Sequence, residues 1–164
     1  DMLNSYVVST WNGGKVHIIK EDENGMPKVI HLMRGQVYEI EGKKIFVFGG
    51  AYSFDNAMRV EGKSWWAQEM PDDVEKNEAI KNLEAANWDV DYIITHTAPE
   101  ETMAIFHREH SNEKPLNNFL EYIREKTKYL HWYMGHLHRD EDVWRDQTVL
   151  WFSVRNMDNN RVLE

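Results

Sequence analysis

Two short apolar runs, each ending on histidine, constrain this chain more than anything else in it. Residues 91–96 read Asp91-Tyr92-Ile93-Ile94-Thr95-His96 and are followed by Thr97-Ala98-Pro99. A short run of this kind is the pattern of a strand buried on both faces of a sheet, and Pro99 forces the following loop open. A second apolar run, 129–134, leads to Gly135-His136-Leu137-His138. Two strands therefore deliver histidine at their carboxyl ends, the edge at which open α/β sheets gather ligands. In extended backbone, residues i and i+2 share a face, so His136 and His138 are expected to aim the same way while Leu137 turns to the core. Gly135 gives the backbone freedom to turn sharply. Neutral imidazole is the commonest protein metal ligand, so converging histidines suit a metal site. A surface histidine pair in a turn fits the same residues.

Composition narrows the chemistry. The 164 residues suffice for a single domain, 1–164, and 41% hydrophobic with 12% aromatic content argues for a packed core. The chain has no Cys, so any metal site must be built from nitrogen and oxygen alone. A formal net charge of -9 opposes general nucleic-acid binding, which needs a basic face. It does not oppose a phosphate-bearing substrate, because bound divalent cations invert the local field. No apolar run reaches membrane-spanning length and no signal-peptide pattern opens the chain, so the expectation is a cytoplasmic protein with no membrane partner.

Along the chain, residues 15–20, 28–33, 36–40 and 44–48 read as short strands separated by turns such as Asn12-Gly13-Gly14 and Glu41-Gly42-Lys43, an antiparallel meander. His17 and His31 on these strands are expected to be structural or exposed. Gly49-Gly50-Ala51 ends the last strand and permits close approach of a neighbour or ligand. The loop 52–66 is either a surface loop pinned by Trp65 and Trp66 or the rim of a site, with Arg59 as a phosphate-binding fork. Pro71-Asp72-Asp73 opens a helix carrying Val74, Ala79, Ile80, Leu83 and Trp88 as its apolar stripe. Residues 100–114 read as a polar loop or short helix, on which His107 and His110 at i, i+3 spacing could face together. A second helix begins at Pro115, with Leu116, Phe119, Leu120 and Ile123 on one face. Asp140, Glu141 and Asp142 read as a solvated turn, 148–154 as a strand, and the final residues as frayed.

Three features in order, Gly49-Gly50-Ala51, the strand ending Ile94-Thr95-His96-Thr97-Ala98-Pro99, and Gly135-His136-Leu137-His138, resemble the carboxyl-terminal portion of a calcineurin-like metallophosphoesterase. The resemblance covers nearly the whole chain. It implies an α/β sandwich of mixed β-sheets flanked by helices, lacking its amino-terminal strand-helix units, and hydrolysis of phosphate monoesters or diesters at a dinuclear centre. By the family's pattern, His96 and His136 would bind the second of two divalent metals (Mn, Fe, Zn or Ni) and His138 the first. The family's Asp-x-His, Gly-Asp and Gly-Asn-His-Asp/Glu motifs are absent, and with them its general-acid histidine, so no catalytic residue is assigned in this chain. Asp1-Met2-Leu3-Asn4 resembles the residues that follow the last of those motifs, which implies a missing amino-terminal segment, with that segment or another copy of the chain as partner. The resemblance leaves two alternatives open. One is a non-catalytic fragment or degenerate member acting as a binding or oligomerisation module. The other is a mononuclear metal-binding protein using His96, His136 and His138.

Overall fold

The computed structural model describes residues 3–163. Asp1 and Met2, half of the expected junction with a missing segment, lie outside the described residues. The fold is α/β, with two sheets flanked by helices. An antiparallel sheet of order β1-β2-β3 is formed by β1 (Val7–Trp11), β2 (Gly14–Glu21) and β3 (Pro27–Leu32). A six-stranded mixed sheet of order β4-β5-β6-β7-β9-β8 is formed by β4 (Gln36–Ile40), β5 (Lys43–Phe48), β6 (Tyr92–Thr95), β7 (His131–Met134), β8 (Glu141–Val143) and β9 (Gln147–Val149). The single meander expected from the sequence is thus divided between two sheets. Tyr38 stands where they meet. It is wholly buried, its ring lies so close to Gly14 that a Cβ there would come within 2.5 Å of it, and its hydroxyl donates to the Lys15 carbonyl. Its large ring fills the space where β4 lies against β2 at the junction of the two sheets.

The helices follow their local signals. Helix α1 (Asp73–Ala85) starts with a capping box: the Asp72 carboxylate accepts from the Glu75 N–H at 2.8 Å and the Glu75 carboxylate from the Asp72 N–H at 3.1 Å. Ala79 and Leu83 are buried as expected, but Val74 is 72% exposed and does not belong to the stripe. Helix α2 (Glu100–Ile105) and helix α3 (Lys114–Lys126) follow. Pro115 stands in the first turn of α3, where a missing N–H is harmless, and Arg124 and Lys126 complement the dipole in its last turn.

Alternation along the central strands sorts the core into two layers. Phe46, Phe48, Ile93, Trp132 and Met134 pack against Leu83, Met103, Leu116, Leu120 and Ile123 of the helices. Ile45, Val47, Tyr92 and Tyr133 face the other way, where Tyr38 and Val16 bring in the antiparallel sheet. Full burial of each large side chain contributes about 1.5–3 kcal/mol, so the layers outweigh any single cap or ion pair. Among the described residues no helix is long and apolar enough to cross a membrane.

The carboxyl-terminal region departs from expectation twice. Strand β9 stops at Val149, and residues 151–153 form a loop gathered by Asp140, whose carboxylate accepts from the N–H groups of Trp151, Phe152 and Ser153, each at 3.0 Å. The tail expected to fray turns back: Arg155 bridges to Asp142 at 2.9 Å, and the Asn160 amide donates to Asp142 and Thr148, each at 3.1 Å. The residues 140–142 are exposed as expected, but Glu141 and Asp142 begin β8 rather than forming a turn, and Asp140 and Asp142 hold the tail.

Candidate functional site

Strands β5, β6 and β7 run parallel and in step, with Phe48 beside Thr95 and Thr95 beside Met134. Their next residues, Gly49, His96 and Gly135, leave the sheet at one edge. The Gly135 N–H donates to the His96 carbonyl at 2.9 Å and laces the two histidine-bearing loops together. A cleft of about 530 Å³ opens there, and His96, His136, His138 and Arg59 all line it, with Tyr52, Phe54, Glu69 and Arg108. Gly50 has to be glycine: its φ is +110°, and a Cβ would lie 2.3 Å from the Glu69 carbonyl oxygen.

The histidines reach the cleft by a different route from the extended one expected. His136 has φ 66° and His138 φ 52°, both in the left-handed region. Gly135 is not left-handed, so the turn is made by the histidines themselves. Such conformations cost on the order of 1–3 kcal/mol each in a non-glycine residue and collect at functional sites. Leu137 is buried as expected. The His96 and His136 rings meet edge to face with centroids 5.1 Å apart. His138 stands apart from them, stacked on Trp151 at 5.0 Å, and Trp151 is held by the Asp140 loop.

Beneath His136 lies a group that the sequence reading did not single out. The Glu113 side chain is 0% exposed, and its Oε1 is 3.3 Å from His136 Nε2. The Tyr52 N–H donates to the same oxygen at 2.9 Å. Glu113 Oε2 and His136 Nε2 are both buried without a hydrogen-bond partner. Burial pushes the Glu113 carboxyl above its ordinary range, against the pull of the Tyr52 N–H. Burial also holds His96 and His136 below the ordinary imidazole value, with His136 adding to the effect on His96 and His138 to that on His136. Both imidazoles thus favour the neutral form, the one that binds metal. In the sequence, Glu113 reads only as an acid near a helix start.

Arg59 lines the cleft but is already engaged, paired with Asp55 at 2.7 Å and donating to the Ser64 carbonyl at 2.9 Å. Arg108 adds a second guanidinium to the wall. His107 and His110 do not face together. His107 is left-handed at φ 51°, whereas His110 stacks on Tyr52 at 5.1 Å and meets Phe54 edge-on at 5.0 Å. Phe54 in turn lies over His136, with ring centroids 5.3 Å apart. His17 and His31 pair across β2 and β3, outside this cleft.

The donor set fits a divalent cation in part. His96 and His136 supply two adjacent neutral imidazoles, and the orphaned His136 Nε2 and Glu113 Oε2 mark a polar cluster with unmet bonding capacity. Among the described residues, however, no three His, Asp or Glu side chains are placed to hold a metal by themselves. His96 and His136 are by themselves too few donors to enclose a metal ion. No family model matches the chain, and no curated protein and no solved structure is matched by it either.

Proposed function

We propose that this chain supplies the histidine side of a metal-dependent phosphate-ester hydrolase, a phosphomonoesterase or phosphodiesterase of the calcineurin-like metallophosphoesterase fold. The supporting observation is the delivery of His96, His136 and His138 to one cleft by the loops after two adjacent parallel strands. His96 and His136 would hold one divalent cation and His138 a second. The remaining ligands would come from another polypeptide segment or from another copy of the chain. Metal bound there supplies Lewis acidity toward phosphoryl oxygen and an acidified water. The chain's own residues do the rest. Neutral imidazoles offer lone pairs, Arg108 offers charge to phosphate oxygens, Arg59 joins it where phosphate displaces Asp55, and Tyr52 and Phe54 line the cleft. Nitrogen and oxygen donors leave Mn, Fe, Zn and Ni all eligible.

Native mass spectrometry on the full chain, with Mn²⁺ or Zn²⁺ added, tests this reading together with turnover of p-nitrophenyl phosphate and bis(p-nitrophenyl) phosphate. The expected result is cation uptake that disappears in His96→Ala and His136→Ala, with full turnover only when further ligands are present. Failure of any assembly containing the chain to take up a cation overturns it. A second reading, a binding or oligomerisation module, is favoured by the exposed Trp151 (52%) and Phe152 (77%) beside His138. Uptake of no cation, with self-association that is lost on Trp151→Ser, would select it.

A further inference from the structure

We propose that Glu113 is the positioning residue for His136: its carboxylate accepts the Nε2 proton of the imidazole and so leaves the Nδ1 lone pair to serve the cleft. Three observations meet at this pair. The Glu113 side chain is 0% exposed, with Oε1 3.3 Å from His136 Nε2. Glu113 Oε2 and His136 Nε2 are each buried without a hydrogen-bond partner, so the 3.3 Å approach of Nε2 to Oε1 is an ion-pair contact short of hydrogen-bond alignment, and buried polar atoms are rarely left unserved. The carboxylate is also anchored from the far side, because the Tyr52 N–H donates to Oε1 at 2.9 Å.

The fold explains why a carboxylate is held there. Glu113 immediately precedes α3, and its carbonyl accepts from the Leu116 and Asn117 N–H groups at 2.8 and 3.1 Å. Negative charge is favoured beside a helix start. Phe54 covers the His136 ring, with centroids 5.3 Å apart, and a site shielded from water strengthens the N–H to carboxylate interaction. The left-handed backbone at His136, φ 66°, turns the ring into contact with both the carboxylate and the cleft. A histidine that ligates metal characteristically donates its other ring N–H to a carboxylate, which fixes the tautomer and raises ligand basicity. That last step rests on the proposed metal site, whereas the hydrogen bond and the tautomer do not.

Long-range ¹H–¹⁵N correlation of the imidazoles in the full chain separates the two. In the wild type, the His136 resonance (assigned by its loss in His136→Gln) is expected to show a protonated Nε2 and a bare Nδ1, with a downfield, slowly exchanging Nε2 proton. Glu113→Gln should move that proton upfield and speed its exchange. Zn²⁺ affinity, read by calorimetry, should weaken about 10–100-fold in the same variant and recover in part in Glu113→Asp. A wild-type His136 protonated on Nδ1, or a proton signal and Zn²⁺ affinity unmoved by Glu113→Gln, overturns the assignment. If Glu113→Gln does not fold, the wild-type spectrum alone decides it. The expected tautomer without Zn²⁺ uptake supports the role of Glu113 and defeats the metal site. Uptake with the opposite tautomer defeats Glu113 alone.

Discussion

Two histidine pairs in this molecule have nearly the same spacing and opposite characters. His17 and His31 face each other across β2 and β3 with ring centroids 5.4 Å apart, and His96 and His136 meet at 5.1 Å. The first pair satisfies itself, although it too borders a cavity, of about 440 Å³. Its Nδ1 atoms lie 3.1 Å apart, so one ring donates and the other accepts, and both residues sit in paired strand backbone. The second pair is unfinished. His136 has left-handed backbone, an orphaned Nε2 and a buried carboxylate beside it, and both rings line a cleft at the carboxyl edge of parallel strands. Proximity of two imidazoles is therefore a poor guide to function. Unmet bonding capacity, held in place by strain and by position at a strand end, is the better one.

The largest expected effect would break the comparison outright if it fell on the wrong pair. Zn²⁺ binding, measured by calorimetry on the full chain, should weaken at least about 100-fold in His96→Ala or His136→Ala, a ligand mattering no less than its outer-shell partner. It should be unchanged in His17→Ala. The reverse pattern would falsify the assignment of the cleft as the metal side.

A smaller effect sharpens the description of the satisfied pair. His17→Leu leaves the His31 Nδ1 without its partner and is expected to cost about 1–3 kcal/mol in urea unfolding. The double variant His17→Leu/His31→Leu should lie closer to wild type, because both polar groups leave together. A double variant less stable than either single one would show that the pair does more than satisfy itself.

The smallest effect concerns pH. Burial, the largest cause for each, holds the imidazoles of His31, His96, His131 and His136 below the ordinary value of 6.5. Above that pH they are neutral in both folded and unfolded chains. As pH falls through 6.5 the unfolded chain takes up the protons first, so stability should fall until the folded-state values are passed. The Tm should therefore drop between pH 7.5 and 5.5, by roughly 2–4 °C for each kcal/mol lost, and His31→Gln should flatten part of the slope. Glu113 acts in the opposite sense: burial raises its carboxyl above the ordinary value, so the folded chain takes up that proton first and gains stability as pH falls toward the carboxylate range. A Tm that rises on acidification to pH 5.5 would mean that the carboxyl outweighs the imidazoles.

Much of the architecture is legible in the sequence. Pro71-Asp72-Asp73 at the start of α1, Pro115 at the start of α3, and the apolar runs of β6 and β7 are local signals, and each produced the element it announced. The misreadings came where a long-range contact decided the outcome. Tyr38 sits against Gly14 where the meander divides. Asp140 captures three N–H groups from 11 to 13 residues ahead and converts a supposed strand into a loop. Val74 has helical spacing but finds no layer to pack against.

By itself the sequence determined which histidines would reach the edge of the sheet, because strand length, alternation and chain-breaking residues are properties of neighbours along the chain. It also excluded thiolate ligands, because composition alone decides that. Only the tertiary structure separated the unfinished pair from the satisfied one and put Glu113 beneath His136, 23 residues apart in sequence and 3.3 Å apart in space. The reason is that burial and hydrogen-bond satisfaction belong to no residue or motif, since they depend on what the rest of the fold places around it.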